Sequence, residues 1–107
     1  YVKQFRTETL ESEVHYFMHV AMPEKQIAPL IQQIFADSDC GKIYRIKGSL
    51  PTENSGWLKV NATAEKIEIS PVAYGQSVLI VIGDKVKKEK IDAYLQAVNA
   101  DSEYVSI

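Results

Sequence analysis

The side chains best suited to bind a metal, attack an electrophile or move a proton are, in this 107-residue chain, two histidines, one cysteine and fourteen carboxylates. His15 and His19 stand four residues apart. On a helix that spacing aims both rings at one zinc ion. On a strand four residues span about 13 Å, too far to share a metal. The surrounding residues favour a strand, so both rings are expected to be solvent-facing or partly packed. Cys40 has Gly41 and Lys42 beside it. A nearby cation can lower a thiol's pKa, but a nucleophile also needs a positioned base. The sequence offers none, and Cys40 is expected to be a small turn residue. The carboxylates Glu8, Glu11, Glu13, Asp37, Asp39, Glu65 and Glu68 are scattered, with no pair that can be placed across a cleft. A phosphate-binding loop needs Gly-x-x-x-x-Gly-Lys-Ser/Thr, so that backbone amides and a lysine cradle the phosphates. Gly41-Lys42-Ile43 and Gly83-Asp84-Lys85 have neither the earlier glycine nor the following Ser or Thr. The sequence therefore predicts no catalytic, cofactor-binding or metal-binding residue, and a chain that is not itself an enzyme.

These side chains must be carried by elements that the hydrophobic pattern defines. Residues 13–22 fit a helical stripe and an alternating strand alike, but β-branched and aromatic content followed by Pro23 favours a strand. Ile27, Leu30, Ile31, Ile34 and Phe35 make one helical face. Pro29 interrupts that stretch, so either the first turn is irregular or the helix proper starts near Ala28. Asp37 to Gly41 ends it. Strands are predicted over 42–50, over 57–63 with Leu58, Val60 and Ala62 on one side, and over 66–70 with Ile67 and Ile69 inward. Pro71 and Gly75 mark a break. Val78-Leu79-Ile80-Val81-Ile82 does not alternate, which predicts a central strand covered on both sides, with Ile80 at its centre. A last helix over 87–98 carries Ile91, Tyr94, Leu95 and Val98 on one face, with Lys85, Lys87, Lys88 and Lys90 on or near its wet side. Asn99 can stop it.

The fold class that follows is α+β: a four- to five-stranded, largely antiparallel sheet with two helices packed on one face. If Ile46 faces the helices, Arg45 and Lys47 point away from them, and Trp57 and Lys59 can join them on the open side. These four residues are the candidate docking face. Cations beside an aromatic also suit single-stranded nucleic acid. The acidic balance, net charge −2, argues against that partner.

Composition bounds the rest. One hundred and seven residues make one domain, large enough for its own core. At 46% hydrophobic and 24% charged, the chain is ordinary for a globular protein. One cysteine cannot form an internal disulfide, no apolar run is long enough to cross a bilayer, and no signal peptide is evident. A cytoplasmic protein is expected. The chain opens on Tyr1, not Met, which predicts a piece of something longer.

Arg45-Ile46-Lys47-Gly48, the hairpin opening at Trp57, the run Glu65-Lys66-Ile67-Glu68-Ile69-Ser70-Pro71, the apolar stretch ending in Gly83 and the final amphipathic helix follow one another in a telling order. The succession resembles the C-terminal domain of CobW-type (cobalamin synthesis-related) GTPases over about residues 13–98. The resemblance implies residues 13–107 as that domain and residues 1–12 as a linker or extra edge strand from a missing upstream domain. In that family GTP and a Cys-x-Cys-Cys metal motif belong to an N-terminal G domain, so none of those residues is carried over here. The parent is then expected to use GTP and a divalent metal such as zinc or cobalt. Its expected role is metal delivery or cobalamin-related cofactor synthesis, with the present domain as an interaction or regulatory module. Expected partners are the parent's G domain and a metalloprotein client, with no membrane. The alternative is a free-standing small α+β module that binds a ligand or single-stranded nucleic acid.

Overall fold

The computed structural model describes residues 13–51, 56–99 and 104–106. Strand β1 (Glu13–Met18) is followed by helix α1 (Glu24–Ala36), a short 3-10 turn (Ser38–Cys40), β2 (Lys42–Pro51), β3 (Trp57–Ala62), β4 (Ile67–Val72), β5 (Val78–Asp84), helix α2 (Lys88–Val98) and β6 (Val105–Ser106). The strands form one sheet in the order β4-β3-β2-β5-β1-β6. Every strand pairing is antiparallel. The α+β class and the two helices on one face are as expected. The two-residue β6, which pairs with Phe17 and Met18, was not foreseen. The expectations for residues 1–12, and for the turn containing Asn54 and Ser55, lie outside the described residues.

The helices bury their apolar stripes against the inward side of the sheet. Ile27, Leu30, Ile31 and Ile34 of α1 and Ile91 and Leu95 of α2 join Phe17, Ile46, Leu50, Leu58, Val60, Leu79 and Val81 in one core. Each such side chain contributes about 1.5–3 kcal/mol when taken out of water. α1 starts at Glu24 and not near Ala28, with Pro23 before it and Pro29 inside it. Pro29 is exposed, and the helix loses one backbone bond there while keeping its buried face. The 3-10 turn is capped by Asp37, whose side chain accepts from the Asp39 N–H.

Two further expectations change. β4 runs through Pro71 to Val72, because it is the edge strand and its outer N–H groups have no sheet partner to lose. Its Ile67 and Ile69 point inward but stay half-buried. β5 is central in the sheet, between β2 and β1, yet the described residues cover only one of its faces. Leu79 and Val81 are 2% and 1% exposed, whereas Val78, Ile80 and Ile82 are only half-buried on the side without helices. Gly48, at φ +152°, lets β2 pass close to β5: a Cβ there would sit 2.1 Å from the Val78 carbonyl oxygen.

Candidate docking face

The side of the sheet away from the helices is set by the register. In β2, inward Ile46 and Leu50 leave Arg45, Lys47, Ser49 and Pro51 outward, after a bulge between Ile43 and Arg45. In β3, inward Leu58, Val60 and Ala62 leave Trp57, Lys59 and Asn61 outward. All four residues expected on this face, Arg45, Lys47, Trp57 and Lys59, lie on it. Arg45 Nε donates to Asn61 Oδ1 at 2.9 Å across the two strands. Among the described residues Lys47 and Lys59 form no ion pair. The acidic Glu68 of β4 is held by Lys66 at 3.0 Å, both well exposed. Trp57 stands at the end of the hairpin between Pro51 and Val72, half-buried, and its ring edge lies where a Cβ on Gly75 would be 3.4 Å away. It is thus braced by the loop between β4 and β5. Ser49 holds that loop, with its Oγ accepting from the Gln76 N–H at 3.0 Å.

The other half of the face is apolar, and sequence reasoning missed it. β1 and β5 pair Val14 with Ile82, Tyr16 with Ile80 and Met18 with Val78, all six on the outward side. β2 continues the rows, with Arg45 opposite Ile82 and Lys47 opposite Ile80. Val14 and Tyr16 are 47% and 44% exposed, among the few large apolar side chains so open. The signal was present: a β5 without alternation records two apolar faces, and the described residues cover only the first.

The remaining candidates are separated from this face. His15 lies on the inward side of β1, where its Nε2 meets Glu13 Oε1 at 3.0 Å, and that hydrogen bond holds the Glu13 carboxyl below the usual carboxylate range. His19 follows the strand, exposed and at φ +59°, so the two rings belong to different surroundings. Cys40 is fully buried, and burial pushes its thiol up to about 11, which keeps it protonated and unreactive at neutral pH. Asp37 accepts from the Tyr94 hydroxyl at 2.7 Å; the same bond pushes Tyr94 up to about 12 and holds Asp37 low. Lys90 reaches Asp39 at 3.9 Å, Lys85 and Lys87 are exposed, and Lys88 is half-buried. Among the described residues no three His, Cys, Asp or Glu side chains are placed to hold a metal ion. No described helix is long and apolar enough to cross a membrane.

No family model and no curated protein matches the chain. Two solved structures do. Zn(II)-bound YjiA GTPase from E. coli is 13% identical, with a TM-score of 0.67 over 90% of this chain and 32% of its own. A Zn(II)-bound triple mutant of YjiA GTPase is 14% identical, with a TM-score of 0.67 over 83% of this chain and 30% of its own. The fold is that of one part of a GTPase chain. This supports the CobW-related fold expected from the sequence. The present chain spans about a third of the length of either neighbour, so whatever the neighbours do as whole proteins involves much that is not in these 107 residues.

Proposed function

We propose that this chain is a non-catalytic interaction domain of a CobW-type GTPase, and that the open sheet face bearing Arg45, Lys47, Trp57 and Lys59 docks against the parent's G domain. The observation that carries the reading is the match to about a third of a GTPase chain by a fold whose described residues leave one sheet face open. Arginine and tryptophan concentrate binding energy at interfaces, since each combines large buried area with a directional polar group. GTP and the divalent metal, zinc or cobalt, are assigned to the parent's other domain. The described residues of this chain offer no metal-ligating cluster, and its sequence no phosphate loop. The Zn(II) named with both neighbours makes metal delivery the role proposed for the parent.

Coding sequence upstream of Tyr1 is expected to encode a Gly-x-x-x-x-Gly-Lys-Ser/Thr loop; a reading frame without one removes the proposal. Calorimetry on the isolated chain is expected to show no sub-micromolar binding of GTP, Zn²⁺ or Co²⁺. Arg45→Ala with Trp57→Ala should leave the domain folded and weaken its association with the G domain.

A further inference from the structure

The apolar half of the open face asks for a cover that the described residues do not supply. Val14, Tyr16, Met18, Val78, Ile80 and Ile82 stand in register on that face, and contiguous apolar surface of this kind marks an interaction site. The core does not require them, because Phe17, Leu79 and Val81 already fill the inward side of the same two strands. We propose that these six side chains form the seat of the parent's G domain, which presents an apolar surface edged by carboxylates. This rests on the reading of the chain as a module of such a GTPase, and shifts the centre of the contact from Trp57 to β1 and β5.

Charge and tether both specify the occupant. Arg45 and Lys47 border the seat along β2, opposite Ile82 and Ile80, and Lys47 has no ion-pair partner among the described residues. An apolar partner surface with acidic side chains along one edge matches seat and border together, and like charges there would be rejected. A domain joined upstream reaches the seat directly. The chain enters β1 at Glu13, and Val14 is already part of the seat. The match to only 30–32% of each neighbour leaves ample chain for that domain.

Cysteine labelling in the intact parent tests the seat, and it exploits Cys40, which is buried and stays silent. Tyr16→Cys, Lys59→Cys and Ser70→Cys are each made in the isolated chain and in the full-length parent, and maleimide labelling is read peptide by peptide. In the isolated chain all three should label fast. In the parent, Tyr16→Cys should label at least ten-fold more slowly, and Ser70→Cys, on the far edge strand, should be unchanged. Slowing at Lys59→Cys without slowing at Tyr16→Cys would overturn the apolar seat while leaving docking itself intact. No slowing at either position would remove both. Protection of Tyr16→Cys already in the isolated chain would also sink the proposal. If it grows with protein concentration, a second copy is the cover; if it is lost on deleting residues 1–12, that segment is.

Discussion

Asp37 gathers more hydrogen bonds than its exposure suggests. The Tyr94 hydroxyl donates to Oδ2 at 2.7 Å and the Asp39 N–H to Oδ1 at 2.9 Å, which together hold the carboxyl low and tie α2 to the end of α1. A carboxyl whose folded pKa is depressed adds stability that is complete above its ordinary value and is lost as pH falls through the folded one. The relevant window therefore lies below about pH 4. Tyr94→Phe should raise the Asp37 titration midpoint followed by carboxylate NMR and reduce the loss of stability on acidification. An unchanged midpoint would mean that the hydroxyl does not reach Asp37 in solution.

At the scale of elements, β5 and α1 each separate burial from pattern. Leu79 and Ile80 are neighbours in the same apolar run, but only Leu79 faces the helices. Leu79→Ala should cost about 2–5 kcal/mol through lost burial and the cavity left behind. Ile80→Ala should cost less than half as much, since its side chain is only half out of water in the isolated chain. Equal losses in denaturant melts would place the two side chains in equivalent surroundings and contradict the one-sided sheet. In α1 the exposed Pro29 costs the helix a backbone bond. Pro29→Ala restores the donor and should stabilise the chain by about 1–3 kcal/mol, the helix-interior penalty of proline less its stiffening of the unfolded chain. A variant no more stable than wild type would show that the ring has packing of its own.

At the scale of the whole molecule, contacts near the C-terminus tie the sheet to the second helix. Tyr104, just before β6, donates its hydroxyl to Asp92 of α2, while β6 itself pairs with β1. Asn99 at the end of α2 accepts from the Ala21 N–H at 2.6 Å and so holds the chain after β1. The C-terminal strand thus links the sheet edge to the second helix. Tyr104→Phe removes a hydrogen bond to a charged acceptor, worth about 1.5–3 kcal/mol. It should also speed amide exchange at Phe17 and Met18, the partners of β6, before any other part of the sheet. Uniform acceleration across all strands would mean that the tail does not open as a separate unit.

The sequence by itself determined the order of the main elements, the two buried helical stripes and the outward placement of Arg45, Lys47, Trp57 and Lys59. Period-2 and period-3.6 patterns are local and survive in one dimension. Proline was over-read in both directions, as an irregular or delayed helix start at Pro29 and as a strand end at Pro71. Whether its missing N–H matters depends on where the neighbouring backbone lies. The short β6 left no pattern because two residues cannot carry one. What only the tertiary structure decided is which apolar faces find a partner within the chain. An unbroken run such as 78–82 says that a strand avoids water on both sides, but not whether helices of the same chain or a separate surface provides the second cover. Both helices lie on one side of this sheet, and that placement turns Ile80 and Ile82 from expected core into a candidate interface shared with Val14 and Tyr16.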